Sequence, residues 1–248
     1  METWLETAAE RFWTAANRPE PFPRNLEDAI ALALPVMVAR LPRLGLFSAE
    51  RWLSQYSPRF IWSAPERGGR GDRRLRACLV ADDENGCILL DAADPPDEQR
   101  YSLAHEVAHF ILDYQQPRQL AQRRLGGAAL AVLDGRRPAS DSERIEAALA
   151  GVTLGAHLHL MERGPTGVEA AAIARAEADA DRLALQLLAP EDHALAVLPT
   201  TGCFAERLTG GTAALIATFG LPAAVAAPFA RRLISRRDGP PGWHEWLE

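Results

Sequence analysis

Cysteine is scarce, and its scarcity sets the first limit on what this chain can be. Cys78, Cys87 and Cys203 form no CxxC pair, and one is left over under any pairing. Such a count cannot frame a disulfide scaffold and suits a reducing compartment. A basic excess is missing as well. The formal net charge is −6, whereas nucleic-acid binders usually present a basic face. The opening residues Met1-Glu2-Thr3-Trp4 carry acid where a secretory leader needs a basic start and an apolar run. Long apolar runs are also lacking. Residues 212–230 are uncharged, yet they are alanine-rich and broken by Gly220, Pro222 and Pro228. A lipid-facing helix needs roughly 20 strongly apolar residues, so two packed helices joined at Phe219-Gly220-Leu221-Pro222 are expected instead. These absences together point to a cytoplasmic protein with no membrane span and no direct nucleic-acid partner. Internal repeats and long linkers are absent too.

What remains is an ordinary globular composition, 48% apolar and 24% charged over 248 residues. That length allows one generous domain or two small ones. The patterning predicts an α+β fold, mostly helical, with a small β-sheet packed against one central helix. A helix is expected over 2–16, then a proline-rich break. Asn25 caps a second helical pattern through Leu26, Ile30 and Leu34, which Pro35 kinks or stops. A short helix follows around Trp52, and a first strand is expected at 59–62. Residues 75–81 and 87–90 are apolar and flank a turn at 82–86, which reads as a β-hairpin. Helices are expected over 98–114 and 168–188, with weaker patterns at 120–133 and 142–150. The organisation expected is an N-terminal helical region at 1–66 and a core at 67–200. An insertion lies at about 115–167, and C-terminal helices at 201–248 pack on the core.

The chemistry is concentrated in Tyr101-Ser102-Leu103-Ala104-His105-Glu106-Val107-Ala108-His109-Phe110, which contains HExxH. Helical residues four apart lie about 40° from each other, so both imidazoles share a face and can share one metal ion. Glu106 is turned about 100° from His105. It therefore sits beside such a metal, where a general base takes a proton from the attacking water. Zinc suits imidazole and carboxylate donors, and a catalytic site leaves one position open. Leu103, Val107, Phe110 and Ile111 follow the spacing of a buried stripe. A chance HExxH in a chain with so few histidines has a probability of about one in a hundred.

A third ligand is required, and helical spacing selects it. In the 168–188 helix, Arg175, Asp179, Arg182 and Gln186 form a polar stripe that reads as solvated. Glu177 and Asp181 share a different stripe, one turn apart. Glu177 is the expected ligand, and Asp181 the carboxylate that accepts a ring N–H from a ligating histidine. Asp179 reads as a surface acid.

RYSLAHEVAHFIL followed by ExxADRLALQLLAP resembles the ImmA/IrrE-type metallo-endopeptidases, within the wider gluzincin class. The resemblance spans roughly 75–190. It implies a zinc-dependent endopeptidase, one Zn2+ per chain, acting on an intracellular regulatory protein, often a helix-turn-helix transcriptional repressor. Sixty-seven residues lie between His109 and Glu177, more than a minimal member needs, hence the insertion.

Weaker candidates remain. His157, His159, His193 and Tyr114 are possible donors to a developing oxyanion. His157 and His159 would share a face only in a strand, and ordinary surface or locally bonded histidines are the favoured reading. Tyr114 reads better as a packing residue, Cys78 and Cys87 as small apolar groups of the hairpin. Trp4, Trp13, Trp52 and Trp62 read as core. The strand at 87–90 is expected to be an exposed edge that holds an extended peptide by β-addition. The competing function is a non-catalytic metal-binding regulatory or protein-interaction module on the same scaffold. An intact Glu106 argues against it.

Overall fold

The structure, a computed structural model, describes residues 3–17, 21–56, 73–134, 136–144, 157–162 and 171–239. The fold is α+β and mostly helical, with one mixed sheet of four strands among the described residues. By their contacts the elements fall into two units, each interleaved along the chain.

One unit comprises 34–95 and 105–181. Its strands are β1 (Val36–Leu41), β2 (Leu75–Asp82), β3 (Asn85–Asp91) and β4 (His157–Glu162). Their order is β1-β3-β2-β4. The expected hairpin is present as β2 and β3, paired antiparallel, and its turn holds Asp83 and Glu84 at positive φ. β1 runs parallel to β3, and β4 antiparallel to β2. The central strand β2 is buried at nearly every position, as a strand covered on both faces must be. Alternation then sorts its side chains. Cys78, Val80, Leu89 and Leu160 pack with Leu46, Ala49 and Leu53 of α3 (Leu46–Tyr56). The intervening positions, including Leu79, Ile88 and His159, occupy the opposite face, because Leu79 pairs with both Ile88 and His159.

From that opposite face His159 bonds Glu106 of the HExxH helix, α4 (Pro96–His109). Its start follows from sequence: Pro96 stands at the first turn, with Asp97 and Glu98 against the positive end of the helix dipole. The sequence spacing predicts an amphipathic helix, yet every residue from Tyr101 to Phe110 is buried. Leu103, Val107 and Phe110 are among them, and the next residue, Ile111, is buried too, as the stripe predicts. The helix does not end at Tyr114. It passes through a π-helical turn, Phe110–Gln115, into α5 (Gln116–Leu125). Pro117 explains the wide turn, since its ring would clash with the Asp113 carbonyl of an α ladder. α6 (Ala128–Leu133) follows and packs on α5 through Ala121 and Leu133. Arg118 lies over the Tyr114 ring and pairs with Asp134, tying α5 to the end of α6. α7 (Ala171–Leu188) contributes its first half to this unit.

The other unit comprises 1–33, 96–104 and 182–248. It contains α1 (Thr3–Ala15), α2 (Leu26–Ala33), α8 (Glu191–Val197), α9 (Phe204–Phe219) and α10 (Ala223–Asp238). Its core includes Phe12, Leu26, Ile30, Phe204, Phe219, Phe229 and Leu233. The expected junction of two packed helices is found. α9 closes on Gly220 at φ 62°, and Pro222 caps α10. The Arg100 guanidinium donates to the carbonyl of Phe219 and, at 2.9 Å, to that of Arg24. No described helix is long and apolar enough to cross a membrane.

Several expectations need correction. The helical pattern through Leu34 stops at Ala33, and Val36–Leu41 is a strand. β3 is not an edge: it lies between β1 and β2, and the edges among the described residues are β1 and β4. Trp4 is exposed rather than core, Trp13 is half-buried with its indole N–H donating to the Leu187 carbonyl, and Trp52 packs partly buried on the α3 cluster. The strand expected at 59–62, Trp62 and most of 142–150 lie outside the described residues.

Candidate metal centre

Three histidines and one glutamate converge within the sheet-bearing unit. Donor atoms of His105, His109, His159 and Glu177 all lie within 4.8 Å of one another. Each comes from an element with a local reason to present it. His105 and His109 are one turn apart on α4, so their rings project from the same face. The ring centroids are 4.7 Å apart and the two Nε2 atoms 3.1 Å. Glu177 comes from α7, with Oε2 3.3 Å from His105 Nε2 and Oε1 3.6 Å from His109 Nε2. His159 is delivered by β4, and its ring stacks on that of His109 at 3.7 Å. Its Nε2 is 2.9 Å from Glu177 Oε1.

The opposite nitrogen of each ring meets a carboxylate. His105 Nδ1 is 3.0 Å from Asp181 Oδ1, His109 Nδ1 is 2.6 Å from Asp113 Oδ2, and His159 Nδ1 is 2.9 Å from Glu106 Oε2. An acceptor at Nδ1 fixes the proton there and leaves Nε2 as the free lone pair. Glu177 and Asp181, four residues apart on α7, thus both face His105, the arrangement their shared stripe predicted. Asp179 lies off this cluster and faces Arg175 at 3.9 Å.

Glu106 is fully buried, and only one of its oxygens is engaged. Its Oε1 is buried with no hydrogen-bond partner among the described residues. A buried carboxylate oxygen left unpaired is costly. It marks the place where a donor, such as a water molecule, completes the site.

The charges are arranged for a cation. Burial alone pushes the His105 ring down, but its bonds to Asp181 and Glu177 and the charge of Glu106 prevail, raising its pKa to about 9. Burial likewise opposes charge on His159, and Glu106 and Glu177 overcome it, raising that pKa to about 10. Burial would raise the Glu177 carboxyl, yet hydrogen bonds from the three histidines hold it far below the usual carboxylate range. The carboxylates that favour a proton on His105 and His159 would equally favour a metal cation among the same donors. A tetrahedral ion with arms of about 2.05 Å needs donors separated by about 3.3 Å. The separations among the His105, His109 and Glu177 donors, 3.1, 3.3 and 3.6 Å, lie close to that edge, so these residues fit a metal ion of that size.

The other candidates are placed elsewhere. The Tyr114 hydroxyl accepts the backbone N–H of Glu84 at 2.8 Å, which commits it to the β2–β3 turn. His193 belongs to the other unit, its ring edge-on to Phe22. His157 stands in β4 opposite Ala81, and its side chain lies outside the described residues. Cys78 and Cys87 join the α3-facing core as expected, and burial pushes the Cys87 thiol up to about 12. Two partners have only faint signals in the sequence. Asp113 was visible as an acid four residues after His109. His159 was visible as the second member of an alternating HLH segment, the period of a strand.

No curated protein matches the chain. Residues 66–130, which include the hairpin and the HExxH helix, match the family model described as Peptidase_M78, the IrrE N-terminal-like domain. Over those residues the chain is similar to that metallopeptidase-like domain; His105 and His109 lie inside the matched segment, and Glu177 and His159, which meet them, lie beyond it.

Proposed function

We propose that this chain is a zinc-dependent endopeptidase in which His105, His109 and Glu177 hold the metal and Glu106 is the general base. The observation that carries the reading is the pairing of convergent Nε2 donors with the one unpartnered, buried oxygen of Glu106. Zinc bound there supplies Lewis acidity, lowering the pKa of water to about 7 and polarising a carbonyl. Glu106 Oε1 is the atom that receives the proton of the attacking water and returns it to the leaving amine. In the resting site its Oε2 accepts from His159 Nδ1, which fixes the carboxylate plane. Asp181 and Asp113 lock the His105 and His109 rings so that both Nε2 atoms keep their aim. Burial of His105, Glu106 and His109 excludes bulk water and strengthens each of these contacts.

An extended peptide is the substrate shape that the sheet favours. β4 is an edge among the described residues and carries His159 into the cluster. A substrate strand paired with β4 would pass beside the donors. The resemblance supports an intracellular regulatory protein, such as a helix-turn-helix repressor, as that substrate, and a cytoplasmic setting. One observation favours the alternative, a non-catalytic metal module: a fourth donor, His159, stands where an open position is wanted. The decisive assay incubates the metal-loaded protein with a native proteome and maps new N-termini by mass spectrometry. The wild type generates them and metal-loaded Glu106→Gln does not. Equal cleavage by both proteins contradicts the role of Glu106, and no cleavage by either favours the binding module.

A further inference from the structure

We propose that His159 is a fourth protein ligand of the metal, so that the resting centre is a closed cage of three histidines and one glutamate. Access to the metal then requires this one side chain to leave. The inference rests on the metal-centre reading above and extends it to how the site is regulated.

The three histidines are treated alike by the fold. Each has Nδ1 on a carboxylate: His105 on Asp181, His109 on Asp113, and His159 on Glu106. Each has Nε2 within 3.6 Å of a Glu177 oxygen. A histidine that served only as an oxyanion donor would aim a ring N–H at the substrate space. His159 instead presents Nε2 to the same carboxylate that its two partners share, and backs it with a carboxylate as ligating histidines are backed. Four nitrogen and oxygen donors, all within 4.8 Å of one another, would hold a zinc ion, and four protein ligands would leave no position open.

The four donors are not held equally. His105 and His109 stand one turn apart on a buried helix, and neither ring can swing out without displacing packed neighbours. His159 sits on β4, which pairs with β2 alone among the described residues. It is also the most exposed of the three rings, with 13% of its side chain accessible against 3% and 1%. A strand paired on one side opens at lower cost than a helix buried all round. His159 is therefore the ligand that yields. When it goes, it frees a coordination position next to Glu106 Oε1, and it does so at the sheet edge where an extended peptide would pair.

The test uses cobalt(II) as a spectroscopic substitute in the full chain, stripped of metal and reloaded with one equivalent. His159→Cys places a thiolate at the same strand position. A ligand there gives a thiolate-to-cobalt charge-transfer band in the near ultraviolet that the wild type, with its three native cysteines, lacks. In parallel, acetohydroxamate is titrated into cobalt-loaded wild type and His159→Ala, following the visible bands. An internal ligand competes with the hydroxamate in proportion to the time it is bound, so its removal tightens hydroxamate binding by at least about tenfold. His159→Ala should also hold cobalt more weakly by at least about tenfold. The proposal is overturned if the wild type loads one cobalt, His159→Cys gives no new band, and the two hydroxamate affinities agree. If the wild type takes up neither cobalt nor zinc, the metal-centre reading itself fails, and this one with it.

Discussion

Removing the carboxylate behind each α4 histidine should weaken metal binding in a ranked order. Asp113 Oδ2 lies 2.6 Å from His109 Nδ1, and its side chain is 30% accessible. Asp181 Oδ1 lies 3.0 Å from His105 Nδ1, and its side chain is 53% accessible. Substituting Asn keeps the size and one acceptor oxygen but removes the charge that makes the bond strong and the imidazole a better donor. Loss of such an outer partner typically costs 10- to 100-fold in metal affinity, about 1.4 to 2.7 kcal/mol. The shorter, drier contact is screened less, so Asp113→Asn belongs near the upper end of that range and Asp181→Asn near the lower. Asp141→Asn, with a side chain 97% accessible, should leave affinity unchanged. Competition against a chromophoric chelator at pH 7.5 measures all three dissociation constants. A reversed order, or two variants indistinguishable from the wild type, would refute the claim that these carboxylates orient the ligands.

Protons and metal should compete, with opposite signs for stability and affinity. In the metal-free protein the raised pKa values of His105 and His159 add stability that is complete below about pH 6.5. That contribution is lost as pH climbs through 9 to 10, so the metal-free melting temperature should fall over this window while zinc affinity rises. Parallel melting curves and chelator titrations check both directions, and a zinc affinity that falls as pH rises from 7 to 9 would contradict the scheme. Gly86→Ala should destabilise the fold by about 1–3 kcal/mol. The added Cβ would stand 2.9 Å from Phe110 Cε2 and Val36 Cγ2. A lowered denaturation midpoint with an unchanged slope is the expected reading. Cys78 and Cys87 should resist a thiol reagent at pH 8 in the native protein, because burial raises both thiols, and react fully only once the chain is unfolded.

The parts legible in the sequence were those whose signals are local. The hairpin could be read because its two apolar runs flank one turn, and both strands pair across it. His105, Glu106, Glu177 and Asp181 could be placed because the 3.6-residue period orients side chains along a single helix. β1 escaped notice because its partner in β3 lies some fifty residues further on, and the helical pattern before Pro35 ran straight into it. For the same reason the sequence does not show that β3 is an inner strand. Strand order depends on β1 and β4, which are distant in sequence, and neither announces its pairing. His159 has only a weak signal in the sequence. Its role depends on β4 pairing with β2 in the register that sets it opposite Leu79, above Glu106. The π turn at Phe110–Gln115 had a local cause in Pro117, but periodicity alone reads it as plain helix.

Metal content tests the central claim most directly. The full chain is purified without added metal and analysed elementally beside a His105→Ala/His109→Ala double variant, each before and after zinc titration and desalting. The account requires about one zinc per wild-type chain, retained through desalting and absent from the folded double variant. No zinc in the wild type, even after titration, would contradict it. The converging imidazoles would then be a buried polar network held by protons and carboxylates, not a metal centre.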